Sequence, residues 1–338
     1  MENLFVWLST LVDVSLAPTI TTYLALFVMG LVTIQLFTAL TDYGVSIFVA
    51  LLAVSTWTMM SPMPEIMASA TNVQWMAAMS VMALGIQKKN SWKLHTKILA
   101  SFWVGICGIS GIPTIMVTPL MLLIAFITRS KIDKLFSALL TACAALNILV
   151  VFSANTLENR TLIFDLKLSI LPTLNHVIFS SLMGVEWAAK LAHSYNLSTG
   201  YFLVTIALSV TLFACLIRSS DSPKLSLMLA FGAIYISILQ TIFSVGDQAA
   251  HLSLLYPAYG ARYYASGCMA LICLIALLRD AKISIILLGF MIAHSFPYMY
   301  QESLQQSKFP SWSYDIKNCP ELCTIHIWPP NWTMQIKK

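Results

Sequence analysis

Between Lys97 and Arg129 the chain runs for 31 residues without one charged side chain. Both flanks are basic: Lys88, Lys89, Lys93 and Lys97 come before it, and Arg129, Lys131 and Lys134 after it. A single helix crossing a bilayer would put these two clusters on opposite faces, against the tendency of Lys and Arg to gather on one. At the middle of the run stands Gly108-Ile109-Ser110-Gly111-Ile112-Pro113. Glycine loosens a helix and proline removes a backbone donor. The stretch therefore reads as two short helices that dip in and turn back. Such a break needs protein or a water-filled cavity around it, not lipid.

Composition supplies the membrane that this reading presumes. Apolar residues make up 58% of the 338, charged residues 10%, and the mean hydropathy is +0.80. Soluble domains sit near ~45–50% apolar and ~25% charged. A soluble enzyme, a nucleic-acid-binding protein and a disordered chain are all excluded, since none keeps so few charges in water. At roughly 30 residues per span and connection there is room for about ten helices. Apolar runs lie near 23–40, 45–60, 73–86, 98–111, 113–128, 135–153, 201–217, 225–244, 262–278 and 283–299. The expected fold is all-α, a polytopic transmembrane helical bundle with short and broken helices. We assign residues 1–299 to that bundle and 300–338 to a cap on the outer face.

The few charges then sort by side. Loops 41–44, 87–97, 129–134, 218–224 and 279–282 hold eleven basic and four acidic residues, so they are placed inside. The remaining segments hold eight basic and ten acidic residues and are placed outside. This arrangement starts the chain outside, with a short apolar helix over 4–17 that ends at Pro18. It also puts 154–200 in a long outer segment, with an interfacial amphipathic helix near 174–193 carrying Glu186 and Lys190 four apart. His176 and His294 read as structural histidines. Cys319 and Cys323 can form a disulfide in an oxidising compartment. With His326 they are too few ligands for a metal site, and neither a metal nor an organic cofactor is expected.

Three outer clusters carry the chemistry. The first contains Glu65, then Asn72, Gln74 and Trp75. A carboxylate near a low-dielectric surface has a raised pKa and suits a general base. The second runs from Asp247 and His251 to Arg262, Tyr263 and Tyr264. The planar fork of an arginine at the head of a helix suits a phosphate, and the same residue flanked by tyrosines also suits an interfacial anchor. The third is the aromatic turn Trp328-Pro329-Pro330-Asn331-Trp332, whose Trp332 can stack on a sugar or serve in packing. No phosphate-binding loop, zinc-protease motif or serine-hydrolase motif is present, and charges within the apolar runs are nearly absent.

These motifs, in order from about residue 60 to the end, resemble those of a group of bacterial polytopic proteins laid out like the GT-C membrane glycosyltransferases. The matching elements are Pro62-Met63-Pro64-Glu65 with Thr71-Asn72-Val73-Gln74-Trp75, the break at 108–113, Arg262-Tyr263-Tyr264, and the ending Ile325-His326-Ile327-Trp328-Pro329-Pro330-Asn331-Trp332-Thr333-Met334. Asn331 stands where the group has glycine. The resemblance implies a GT-C-like fold in a bacterial inner membrane with its functional face in the periplasm. It implies transfer of a sugar from a polyprenyl-phosphate carrier to a cell-envelope glycan. The donor would be a lipid-linked sugar and the acceptor a glycan, with the bilayer as the other partner and no nucleic acid. Glu65 and Asp247 would be catalytic; Asn72, Gln74, Trp75, His251, Arg262, Tyr263 and Trp332 would bind substrate. The resemblance also implies a helix and an acidic loop ahead of Met1, so the chain reads as N-terminally short or as an inactive relative. Two other readings stay open: a transporter or flippase for polysaccharide or lipid-linked sugar, and a non-catalytic membrane scaffold.

Overall fold

In the computed structural model, the described residues are 16–60, 72–153, 165–193, 199–244, 252–257, 260–307, 322–327 and 332–337, with positions 11, 62, 63, 318 and 319. Twelve helices lie among them. They are α1 (Ala17–Asp42), α2 (Ile47–Met59), α3 (Val73–Ile86), α4 (Leu94–Gly108), α5 (Ile112–Thr128) and α6 (Lys131–Ser153). The seventh, α7, runs from Leu166–Leu174 through a π turn, Asn175–Ser180, to Ser181–Met183. Then come α8 (Val185–His193), α9 (Thr199–Arg218), α10 (Pro223–Ser244), α11 (Ala265–Ala276) and α12 (Ala281–Ser307). A 3-10 turn, Ala261–Tyr264, leads into α11. Two short strands, β1 (Leu322–Ile327) and β2 (Trp332–Lys337), pair antiparallel near the C-terminus, with Ile327 opposite Trp332.

All ten apolar runs are helices. The break at 108–113 separates α4 from α5 as expected. Among the described residues, six helices are long and apolar enough to cross a membrane: α1, α6, α7, α9, α10 and α12. The protein is an integral, multi-pass membrane protein.

Two short apolar helices, α3 and α11, sit at the centre. Every residue of α3 but Gln74 is buried, and α11 is buried along its whole length. A helix that is apolar all round has no face for water, so it is enclosed by its neighbours. Small residues such as Ala77, Ala78 and Ala83 let those neighbours come close. The longer helices surround this core and turn large apolar side chains outward, among them Phe27, Phe102, Leu149, Val210 and Ile286. In water such a surface would drive aggregation; against lipid tails it carries no penalty. Side-chain hydrogen bonds cross-link the core helices: Trp103 Nε1 donates to Ser80 Oγ at 2.7 Å, and Ser80 Oγ donates to Gln35 Oε1.

The five loops assigned to the inner side meet at one end. The Lys88 N–H donates to Asp42 Oδ2, joining the first two loops. Lys89 Nζ lies 2.7 Å from Asp133 Oδ1, joining the second to the third. Ser220 bridges Leu278, and the Arg279 N–H donates to Ser219 O, joining the last two. Lys89 and Asp133 are both almost fully buried. Lys89 Nζ also donates to Gly85 O and Gln87 O, and Asp133 Oδ2 accepts from Thr128 Oγ1. Burial pulls the Lys89 ammonium below the ordinary lysine range, while Asp133 pulls it back up.

Two expectations are corrected. The 174–193 segment is not one interfacial helix. His176 and Val177 are buried, because α7 passes in turn against α9, α10, α11 and α12. Gly184, at φ 86°, ends it, and only α8 has the amphipathic character, with Trp187 outward under Lys190 Nζ. The last long helix runs to Ser307, so the 299/300 boundary falls inside it. Within 300–338, β1 and β2 add a strand pair to the polar aromatic segment. The 4–17 helix, apart from its last residues, lies outside the described residues, as does the 328–331 turn. Cys319 is disulfide-bonded, while Cys107, Cys143, Cys215, Cys268 and Cys273 are free.

Candidate functional site

At the end opposite the basic loops, three segments far apart in sequence converge. The first is the head of α3, starting at Asn72. The second is the α4–α5 turn. At Gly108 a Cβ would collide with Cys143, so α4 approaches α6 more closely than any larger residue allows. Asn147 Nδ2 donates to Gly108 O at 2.9 Å and so caps an end carbonyl of α4. Gly111 has φ 148°, a region that side chains other than glycine avoid. Gln74 lies over it, and a Cβ there would strike Gln74 Oε1. The third segment is the 3-10 turn. Gly260, at φ 63°, swings the chain into it with Leu254 packed where a Cβ would be.

Aromatic contacts join the first and third segments. The rings of Trp75 and Tyr263 meet edge to face, 5.3 Å apart. Arg262 Nη2 donates to Tyr263 Oη at 3.2 Å, and its guanidinium lies 5.0 Å from that ring. Trp75 is buried while Arg262 and Tyr263 are half-buried. The result is a cationic fork held against an aromatic wall, with an amide on the adjoining turn. This suits an anion that carries an apolar or sugar-like appendage.

Of the residues named from sequence, Gln74, Trp75, Arg262 and Tyr263 are thus brought together, with Asn72 at the head of the same helix. Trp332 opens β2 in a separate hairpin, and its side chain lies outside the described ones. Glu65, Asp247 and His251 also lie outside the described residues. In sequence, 64–71 directly precedes Asn72 and 245–251 directly precedes the described segment 252–257.

Beneath the 3-10 turn lies a polar layer that sequence reasoning missed. The His176 ring stacks on Tyr264, 4.0 Å between centroids. Its Nε2 contacts Leu254 O at 2.9 Å, which makes Nε2 the protonated nitrogen and leaves Nδ1 an acceptor. Thr241 Oγ1 donates to Tyr264 Oη at 3.0 Å. Ser237, Gln240 and Thr241 share one face of α10 and are fully buried. His176 Nδ1, Ser237 Oγ and both amide atoms of Gln240 have no hydrogen-bond partner among the described residues. The π turn at Asn175–Ser180 is what turns His176 inward, and such turns recur at functional sites. The missed signal was present: Ser237, Gln240 and Thr241 are spaced i, i+3, i+4 within an apolar run. Averaged over a run of twenty residues, three polar positions barely lower the hydropathy.

Comparison of the chain with protein-family models, with characterised proteins and with solved structures gives no match.

Proposed function

We propose that the protein is a membrane glycosyltransferase, moving a sugar from a polyprenyl-phosphate carrier to a cell-envelope glycan on the outer face of a bacterial inner membrane. One observation carries the reading: Gln74, Trp75, Arg262 and Tyr263, from segments nearly 190 residues apart, form one cationic and aromatic site at the end away from the basic loops. In an inverting transfer Glu65 takes the proton of the acceptor hydroxyl. The oxygen attacks the anomeric carbon from the face opposite the phosphate, and the bond from that carbon to the phosphate oxygen breaks. The electron pair leaves on the phosphate, where Arg262 stabilises the charge. Asp247 is the second acid within reach in sequence. Asn72, Gln74 and His251 contribute polar contacts, and Trp75, Tyr263 and Trp332 aromatic faces.

The test is glycan mass spectrometry on cells carrying Glu65→Gln or Arg262→Ala in place of the native chain. Each substitution is expected to lower transfer by at least about 10²-fold while membrane insertion stays normal. Full transfer in both variants overturns the assignment. A transport reading draws on Ser237, Gln240 and Thr241, a buried polar row inside a span. It predicts movement of intact donor across a proteoliposome with no sugar released from its carrier.

A further inference from the structure

At the basic end, far from the site above, a cavity of about 390 Å³ opens between the ends of α1, α3, α5 and α10. Its deeper wall is apolar: Ile86, Ile124, Leu225 and Met228 line it and are buried. Its rim carries Tyr43, Thr128 and Lys224 at the points where these helices end or begin, while Gln87, also in the lining, is buried and donates to Gln35 O. Ile127 borders it and is 43% exposed, so the cavity opens toward the lipid-facing surface.

We propose that this cavity binds one anionic glycerophospholipid, with part of an acyl chain in the pocket and the phosphate at Lys224. Size fits first. A methylene group takes up about the room of a water molecule, roughly 30 Å³, so the cavity holds a segment of about a dozen carbons. Depth fits next. Ile124 and Met228 lie about one helical turn, ~5 Å, inside the polar rim, as a chain lies below its headgroup. Charge decides the lipid. Lys224 is exposed at the mouth, and Lys88 stands over the Tyr43 ring with its Nζ 4.6 Å from the centroid. Of the nearby acids, Asp133 pairs with Lys89 and Asp221 lies 3.6 Å from Arg279, while Asp42, which accepts the Lys88 N–H, is outnumbered by Lys88 and Lys224. A free phosphate would leave the apolar wall empty, and a zwitterionic lipid would set its own cation against Lys224. Basic recesses between membrane helices select anionic headgroups for these reasons.

The experiment uses the purified full chain in detergent micelles with equimolar phosphatidylglycerol and phosphatidylcholine, read by native mass spectrometry. Phosphatidylglycerol is expected to be retained at least about fivefold over phosphatidylcholine. One lysine near the surface contributes about a factor of five, so Lys224→Gln is expected to remove about that factor. Ile127→Trp, which narrows the opening without touching a charge, is expected to lower phosphatidylglycerol retention with both lysines intact. Lys224 and Ile127 are surface positions, and thermal unfolding verifies that each variant is folded. Equal retention of the two lipids overturns the proposal. So does an unchanged preference in Lys224→Gln, or full displacement of the lipid by millimolar inorganic phosphate.

Discussion

The two ends of the bundle are held together by different means. At the basic end, short loops are fastened by charge and hydrogen bonds: Lys88 to Asp42, Lys89 to Asp133, Arg279 to Ser219. At the other end, the joints are close approaches that depend on glycine and on rings. Gly111 sits under Gln74, Gly260 under Leu254, and Trp75 meets Tyr263. Loops of a few residues can bring charged groups together at little entropic cost.

The comparison breaks first at the buried ion pair. Asp133→Ala strands a buried ammonium and is expected to cost about 3–5 kcal/mol, measured by thermal unfolding in micelles. Lys89→Met together with Asp133→Leu is expected to recover most of that loss, because both desolvation costs go at once. If the double variant is as unstable as the single one, charge does not fasten this end. The same pair gives a pH signature. The folded-state pKa of Lys89 lies below 10.5, so between those two values the unfolded chain binds more protons. Stability contributed by this group therefore rises with pH through that alkaline window, and is lost in the double variant.

The second break is at the glycine joint. Gly111→Ala is expected to cost about 1–3 kcal/mol from backbone strain alone. Adding Gln74→Ala removes the collision but not the strain, so the pair is expected to recover only part. A neutral Gly111→Ala would make the α4–α5 turn an ordinary loop. The smallest effect sharpens the comparison. His176→Phe keeps the stack on Tyr264 and removes one hydrogen bond to Leu254, for about 0.5–1.5 kcal/mol. Faster amide exchange over 252–257, with none at the basic end, is the expected readout.

Most of the architecture was legible because its signals are local. Ten apolar runs became ten helices, and the glycines and proline of 108–113 mark the turn where it occurs. The basic loops were grouped from charge alone, and Lys89–Asp133 and Ser220–Leu278 join members of that group. The convergence of 72–75, 108–113 and 262–264 was not legible as geometry, though each segment was singled out. Helix α7 was misread because Lys167, Asn175 and His176 give it the lowest hydropathy among the spanning-length helices, 1.2. Its burial comes from α9, α10, α11 and α12, which no window of sequence contains.

The shortness of α3 has a consequence for where chemistry happens. Its 14 residues rise about 21 Å, against a hydrocarbon layer of about 30 Å. With its basic end at one headgroup level, its head stops roughly 9 Å short of the other. Because α3 is enclosed by its neighbours and meets no lipid, that shortfall lies within the protein and not at the bilayer. On the function proposed above, a carrier lipid would meet Trp75 and Arg262 below the headgroup level without lifting its tail out of the membrane. The acceptor, not the donor, would make the longer journey to the site.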